Sequence, residues 1–210
     1  MTRVTFIVRR RRALSVAACA LSLAGCSALP PPVIENVTAY VLDAQVAPAA
    51  ATVKRDIVLA VGAVRARPGF DTPQIAYVRQ AHELDYFVTA RWAETPARML
   101  GPLIAQALEQ AGAFRAVVQA PATVPADWRL DTELVRLQHD FTRSPSRVEL
   151  ALRLQLSDLR TQQVVAAKVI EQTEAATSAD PYGGVQAANR ALARALTEAV
   201  AFCVAAGDRR

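Results

Sequence analysis

The chain has 210 residues, of which 52% are hydrophobic and 20% charged, and its formal net charge is +5. Five of its 24 basic residues, Arg3 and the arginines at 9–12, precede position 26, and setting them aside leaves 19 basic residues against 19 acidic ones. Without its first 25 residues the chain would be neutral overall, which excludes binding to nucleic acid or to an anionic membrane by charge alone.

The first 25 residues are predicted to be a secretory signal peptide. The basic residues are followed by an apolar segment at 13–24, which is too short to span a bilayer. The Leu-Ala-Gly-Cys run at 23–26 resembles a bacterial lipobox, with cleavage between Gly25 and Cys26. The Cys26 thiol would then carry a covalent diacylglycerol and acyl lipid. The alternative is an ordinary secreted protein in which this cysteine occurs by chance.

Residues 26–37 are predicted to form the lipid attachment site and a spacer. Three consecutive prolines at 30–32 favour an extended, semi-rigid chain of about 3.1 Å per residue. By resemblance to other lipoproteins, Ser27 directs the protein to the outer membrane. Cys203 is the only other cysteine of the mature chain, so no intrachain disulfide can form, and its place on the last helix predicts that it is buried.

Four strands are predicted before the first helix of the folded part. Residues 38–42 form the first, and the nearly continuous apolar run at 56–64 is typical of a strand covered on both faces. Residues 74–79 form a short strand, and at 84–92 two sets of residues alternate with the strand period. The Ala- and Pro-rich residues 45–52 lack a helical period and are predicted to be a loop.

Residues 95–112 predict a helix with recognisable ends. Thr95 is expected to cap it through its hydroxyl, Pro96 suits the first helical position, and Gly112 suits a left-handed C-terminal residue. Pro102 cannot donate to the carbonyl four residues earlier, so a kink or a helix in two parts is expected. Apolar residues at helical spacing form one face: Leu100, Leu103, Ile104, Ala107, Leu108 and Ala111.

The block at 86–114 carries a family resemblance. Its Arg-Trp-Ala-Glu-x-Pro-x-Arg-Met-Leu run, followed by Gln-Ala-Leu-Glu and Gly-Ala-Phe-Arg, resembles the ABC-type transport auxiliary lipoproteins. These small lipoproteins accompany MCE-type (Mla-like) transporters in Gram-negative bacteria. The resemblance extends over most of the chain and is densest at 68–118. It implies an accessory role, without catalysis of its own, in moving lipids or hydrophobic compounds between membranes.

The second half of the folded part begins with a strand predicted at 114–118. From Asp127 onward the residues alternate again with a period of two. The cleanest alternation lies at 148–156, and residues 164–173 complete an antiparallel hairpin with it.

Asp180, followed by a proline, predicts the start of the final helix. Gly183 and Gly184 are expected to weaken its first turn. Its apolar stripe consists of Val185, Ala188, Leu192, Leu196, Ala199 and Cys203. Together the elements predict a single α+β domain at 38–206, a two-layer fold with two main helices packed on a mixed, mostly antiparallel sheet. A mature chain of about 185 residues is ordinary for one domain.

The sequence contains no evident catalytic or metal-binding constellation. His82 and His139 are far apart without a cysteine or carboxylate at ligand spacing, so each is expected at the surface or at a strand end. Three carboxylates on one strand face suggest a cation site, but an arginine among them favours a solvated face: Asp127, Arg129, Asp131 and Glu133. Neither a nucleophile elbow nor a phosphate-binding loop occurs. We therefore expect that the protein is not an enzyme, binds no metal and carries no cofactor other than the lipid on Cys26.

Four aromatic residues are the best candidates for a partner-facing patch, with packing in the core as the alternative for each: Tyr77, Tyr86, Phe87 and Trp92. The resemblance implies an MCE-family periplasmic protein as partner and, through it, an ABC permease and ATPase. It also implies a lipid anchor on the periplasmic face of the outer membrane. A periplasmic lipid-binding carrier and a general outer-membrane assembly lipoprotein are the alternatives. Homo-oligomerisation, the cargo and the direction of transport are left open.

Overall fold

The computed structural model describes residues 36–44, 54–121 and 124–207. The predicted signal peptide, Cys26, the proline spacer and the predicted loop at 45–52 lie outside these residues. Neither helix of the described part is long and apolar enough to cross a bilayer. The elements in chain order are β1 Thr38–Tyr40, β2 Arg55–Val61, β3 Arg65–Ala66, β4 Gln74–Val78, β5 Asp85–Trp92, α1 Pro96–Ala111, β6 Phe114–Gln119, β7 Trp128–Asp140, β8 Arg147–Asp158, β9 Gln163–Ala175 and α2 Pro181–Gly207.

The strands form one mixed sheet built around β7. Along one edge of β7, β2 pairs with its start, β3 with its middle and β4 with its end, all in parallel. β6 extends the sheet beyond β2, whereas β5 and then β1 extend it beyond β4. The other edge of β7 pairs with antiparallel β8, which pairs with β9.

The predicted single-domain α+β class is confirmed, although the description of the sheet needs refinement. Among the described strands, five of the eight pairings are parallel. The two longest ladders, β7 with β8 and β8 with β9, are antiparallel. The sheet is therefore mixed, and "mostly antiparallel" fits only its β7–β8–β9 half.

Both helices share one hydrophobic core with the sheet. α2 packs on β8 and β9, while α1 packs on β6 and also contacts α2. The alternation predicted for β8 is confirmed, since its five apolar positions from Val148 to Leu156 are all buried. β7 alternates in the same way up to a register shift between Leu134 and Arg136. Beyond this shift the buried positions include Leu137 and His139, so the irregularity turns a histidine toward the interior.

α1 is one continuous helix through Pro102, not a helix in two parts. Pro96 occupies its first turn, and Gly112 ends it in the left-handed conformation with φ of 66°, both as predicted. The predicted apolar face is buried except for Leu103, which is half-buried. The exposed position of Pro102 places the ring on the solvent side of the helix.

The capping interaction predicted for Thr95 is wrong. Thr95 occupies the N-cap position, but its hydroxyl makes no capping hydrogen bond. The neighbouring carboxylate of Glu94 instead accepts the backbone N–H of Thr95 at 2.9 Å and lies 3.2 Å from the Arg98 guanidinium. The N–H of Arg98, which a capping hydroxyl would have accepted, donates to the backbone carbonyl of Thr95 at 3.0 Å.

α2 begins where the sequence predicts. The Asp180 carboxylate accepts the N–H of Gly183 at 2.8 Å, which is the expected capping bond. The two glycines have a packing role that the sequence did not indicate. A methyl group on Gly184 would lie 2.6 Å from His139 Nδ1, and one on Gly183 would meet the backbone of Ser178. Both positions need glycine because the first turn of α2 lies against its neighbours without room for a side chain.

The apolar stripe of α2 is confirmed, because all six of its predicted residues are buried. Cys203 is fully buried, as predicted from its place on this stripe. Burial raises the pKa of the Cys203 thiol to about 12, so the group remains a neutral thiol at neutral pH.

Candidate functional site

β1 forms one edge of the sheet, and no other strand of the described part pairs with its outer side. Its inner side is parallel to β5, with Thr38 beside Ala90 and Tyr40 beside Trp92. The carbonyl of Tyr40 accepts the N–H of Ala93 at 2.6 Å, so Tyr40 bonds inward. Since backbone direction alternates along a strand, the groups of the preceding residue point outward, where another chain can pair with them.

One amide side chain holds the segment after β1 against α2. Asn189 Oδ1 accepts the backbone N–H of Asp43 at 2.7 Å, and Asn189 Nδ2 donates to the carbonyl of Val41 at 3.3 Å. The same Nδ2 donates to the carbonyl of Val185, one turn earlier in α2, at 3.1 Å. The Asn189 amide therefore fixes the position of β1 relative to the helix.

An open groove of about 610 Å³ lies between β1 and the first turns of α2. The rings of Tyr40 and Tyr182 line it with their centroids 6.2 Å apart, and Tyr182 is 55% exposed. We call the surface formed by Tyr40, Val41, Asp43, Tyr182 and Asn189 the β1 groove. An exposed tyrosine such as Tyr182 beside amide and charged groups is typical of protein-binding surfaces.

Replacing Asn189 by leucine is expected to loosen the segment after β1 without unfolding the domain. Each lost hydrogen bond contributes about 1 kcal/mol, so amide exchange at Asp43 should accelerate by roughly tenfold or more. Hydrogen exchange resolved to single residues measures this. Thr197→Val is the control, because the Thr197 hydroxyl donates to the Ala193 carbonyl within α2. Equal exchange at Asp43 in the wild type and in Asn189→Leu would refute the role of this amide.

The four aromatic residues singled out in the sequence do not form one patch. Trp92 is 3% exposed and belongs to the hydrophobic core, so its ring is not at the surface. The Tyr86 hydroxyl donates to the carbonyl of Gly69 at 3.0 Å. Tyr77 and Phe87 are half-buried and contact each other, with ring centroids 4.7 Å apart. The contact role of these residues stays a prediction.

His139 lies near the end of β7 but is only 2% exposed, contrary to a surface position. Its Nε2 lies 3.0 Å from the hydroxyl oxygen of Ser146. Its Nδ1 is buried without a hydrogen-bond partner among the described residues. Burial lowers the pKa of His139, and the carboxylates of Asp180 and Asp140 oppose this shift only in part. The imidazole is therefore neutral at neutral pH.

The lowered pKa of His139 predicts a loss of stability in mild acid. The unfolded chain, in which the imidazole has its ordinary pKa of about 6.5, takes up the proton more readily than the folded chain. The free energy of unfolding is therefore unaffected by this group above that pKa. It declines as the pH falls below that pKa, by at most about 1.4 kcal/mol per pH unit. Urea unfolding of wild type and His139→Gln at a series of pH values measures it. If the free energy of unfolding depends on pH equally in the two proteins, the lowered pKa of His139 is contradicted.

The carboxylates considered as a cation site are paired with arginines. Asp131 lies 2.8 Å from Arg129, and Glu133 lies 3.3 Å from Arg67 and 3.4 Å from Arg153. Among the described residues, no three metal-ligating side chains cluster. The ion pairs of Asp131 and Glu133 favour the solvated face over a cation site.

One small cavity lies between α2 and the sheet. The cavity beside Trp92, His139 and Gly184 measures about 10 Å³. That volume holds about one water molecule, whereas ligand pockets usually measure about 300 to 1,000 Å³. A lipid cannot lie in this cavity.

Tyr182 and Asn189 were missed in the sequence, although one of them left a readable signal. Asn189 shares a helix face with Val185 and Leu192, so it interrupts an apolar stripe with an amide. A polar residue on a buried helix face needs a hydrogen-bond partner, which here is the backbone after β1. Tyr182 left no such signal, since an exposed tyrosine in a first turn is ordinary.

Comparisons with known proteins agree with this architecture. Protein XCC0632 from Xanthomonas campestris has a similar crystal structure, with 25% sequence identity, a TM-score of 0.75, and coverage of 82% of this chain and 98% of that chain. An uncharacterized protein is similar at 12% identity and a TM-score of 0.65, with coverage of 80% and 99%. The hypothetical protein CT253 from Chlamydia trachomatis is similar at 10% identity and a TM-score of 0.52, with coverage of 71% and 96%. The last two likenesses concern the fold alone.

A search of the curated proteins found no match to the chain. The sequence model described as "ABC-type transport auxiliary lipoprotein component" matches residues 40–201, which run from the last residue of β1 through most of α2 and include the residues of the β1 groove. This match covers well over half of the chain and agrees with the resemblance found at 86–114. The chain therefore belongs to the family of ABC-type transport auxiliary lipoprotein components.

Proposed function

We propose that the protein is a lipid-anchored, periplasm-facing subunit that docks the MCE-family protein of an ABC-type system moving lipids or hydrophobic compounds between membranes. Membership in the family makes it an auxiliary lipoprotein of an ABC-type transport system. The lipid on Cys26 attaches it to the outer membrane, and the folded domain positions its partner. In this proposal the chain performs no catalysis and needs no cofactor other than that lipid.

The observation that carries the docking role is the outer side of β1, with which no other described strand pairs, beside the β1 groove. The strand offers outward backbone groups, and the groove offers the exposed ring of Tyr182. Proteins commonly bind an extended segment at such an edge, with neighbouring pockets that take its side chains. Because Asn189 holds this edge in place, the docking surface is formed before the partner arrives and little ordering is needed on binding.

Co-purification from detergent-solubilised envelope tests the proposal. The tagged full-length protein should recover an MCE-family protein, and Tyr182→Asp should reduce the recovery by about tenfold or more, as expected for a central aromatic contact. Val164→Asp is a matched control, since Val164 is 57% exposed, close to the 55% of Tyr182. Val164 lies at the start of β9, whereas Tyr182 follows the end of that strand. Recovery of unrelated envelope proteins only, or equal losses in both variants, would count against the docking role.

The size of the β1 groove also favours a second candidate, a carrier that binds lipid itself. Its volume of about 610 Å³ falls within the range of ligand pockets, although the groove is open to solvent. Native mass spectrometry of the purified protein distinguishes the two functions. A carrier should retain a non-covalent lipid that Tyr182→Asp releases, whereas a docking subunit should carry only its covalent lipid.

A further inference from the structure

A group of apolar and aromatic side chains lies where the described chain begins. Asn36 is the first described residue. Thr38 pairs with Ala90 in parallel, so Val37, one residue before Thr38, lies beside the middle of β5. Val88 of β5 is 80% exposed and Val37 is 49% exposed. Two aliphatic side chains are thus exposed next to the point where the lipidated segment joins the domain.

The exposure of Val88 follows from an irregularity in β5. Gln74 pairs with Arg91 and Ala76 pairs with Tyr86, so five steps along β5 oppose two steps along β4. The extra residues cannot be accommodated in the ladder, and a bulge of this kind turns side chains away from the regular faces. Val88 lies within this bulge and is displayed to the outside rather than packed.

Aromatic rings lie near the bulge, since Phe87 directly precedes Val88 in β5. Tyr77 contacts Phe87 at 4.7 Å between ring centroids, and Phe141 lies 6.0 Å from Tyr77 and 6.3 Å from Phe87. The guanidinium of Arg79 lies 5.2 Å from the centre of the Tyr77 ring. Half-buried aromatic rings together with an arginine are the side chains favoured at the boundary between water and lipid. We call the surface formed by Val37, Tyr77, Phe87, Val88 and Phe141 the aromatic end.

The lengths of the spacer and the domain favour contact at this end. Ten residues, 27–36, connect Cys26 to the domain, and fully extended they span at most about 36 Å. β9 ends near the aromatic end, because Ala175 pairs with Arg147 just after the β7–β8 turn. The opposite end of β9 is about 40 Å away at the rise of a strand. A lipid on Cys26 therefore keeps the junction, and with it the aromatic end, within about 36 Å of the bilayer, which is no more than the length of β9.

We propose that the aromatic end rests on the lipid bilayer, so that Val37 and Val88 insert among the lipids and Tyr77, Phe87 and Arg79 lie at the level of the headgroups. The proposal rests on the proposed function in one respect, the lipid on Cys26. It assigns to the membrane the residue just before β1 and the bulge of β5, none of which belongs to the β1 groove. The anchor then orients the domain as well as holding it.

Fluorescence quenching in reconstituted vesicles tests the orientation. The lipidated full-length protein is placed in vesicles of phosphatidylethanolamine and phosphatidylglycerol whose acyl chains carry bromine, and flotation confirms attachment. Val88→Trp places a reporter in the aromatic end, and Val164→Trp places a matched reporter at the far end of β9. Trp92 and Trp128 are buried, and the parent protein gives their background.

Brominated chains should quench about half or more of the Val88→Trp emission and leave the Val164→Trp emission nearly unchanged, because tryptophan at the interface lies against the acyl chains. If the protein floats but Val88→Trp is not quenched, or both reporters are quenched equally, the orientation is refuted while the lipid anchor stands. An unquenched reporter would then leave the aromatic end to a protein partner. If the protein does not float at all, the anchor itself is refuted and the orientation with it.

Discussion

Replacing Cys26 by alanine should remove the protein from the outer-membrane fraction. Each methylene group of a lipid chain buried in the bilayer contributes about 0.8 kcal/mol, so losing all chains should reduce membrane association by several orders of magnitude. Charge is balanced from residue 26 onward and gives no substitute attraction to an anionic bilayer, and the few side chains of the aromatic end bury much less apolar surface than lipid chains do. Fractionation of envelopes followed by immunoblotting measures the shift.

Cys203→Ala is the appropriate control for this experiment. Cys203 is fully buried in α2, so its removal cannot affect a lipid anchor and should leave the protein with the membrane. If Cys26→Ala and Cys203→Ala both stay with the outer membrane, the lipid on Cys26 is not what holds the protein there. Contacts at the aromatic end alone would then have to account for the association.

Gly184→Ala should destabilise the domain by about 1 to 3 kcal/mol, the usual effect of overpacking a filled interior. Alanine is the better helix former by about 1 kcal/mol, so helix propensity alone predicts the opposite sign. Packing decides the outcome, because the new methyl group would lie 2.6 Å from His139 Nδ1 and 3.2 Å from its Cε1. The imidazole is buried, and its Nε2 lies 3.0 Å from the Ser146 hydroxyl oxygen, so moving the ring would break that contact. Urea unfolding of the purified protein measures the change.

A double-mutant cycle identifies the cause of this destabilisation. His139→Ala removes the ring that obstructs the methyl group, so Gly184→Ala should cost much less in that background, with a coupling of about 1 kcal/mol or more. Gly183→Ala is the contrasting variant, because its methyl group would meet the backbone of Ser178 and not the imidazole. His139→Ala should therefore not rescue Gly183→Ala. Equal costs of Gly184→Ala in both backgrounds would contradict the packing account.

The regular elements could be predicted from the sequence because their signals are local. The alternation at 148–156 predicts β8, and the cap at Asp180 predicts the start of α2; both are confirmed. The apolar run at 56–64 predicts a doubly covered strand, and β2 indeed buries four consecutive residues, Val58 to Val61. These signals depend on neighbours in the chain, so they survive without knowledge of the tertiary structure.

The candidate site could not be predicted in the same way, because it depends on contacts between distant parts of the chain. The register shift after Leu134 turns His139 inward, and no periodicity announces such a shift. From the sequence, Gly184 only weakens the helix; its packing role depends on the His139 imidazole beside it. The β1 groove requires Asn189 to meet residues about 146 positions earlier. Irregularities and long-range contacts of this kind cannot be predicted from neighbouring residues alone.

Intact mass spectrometry of the protein purified from the envelope tests the central claim, that a lipid at one cysteine attaches this auxiliary subunit to its membrane. The account predicts a polypeptide that begins at Cys26 and carries the additional mass of a diacylglycerol and an acyl chain on that residue. A mature polypeptide free of acyl chains, or one that retains residues 1–25, would contradict it.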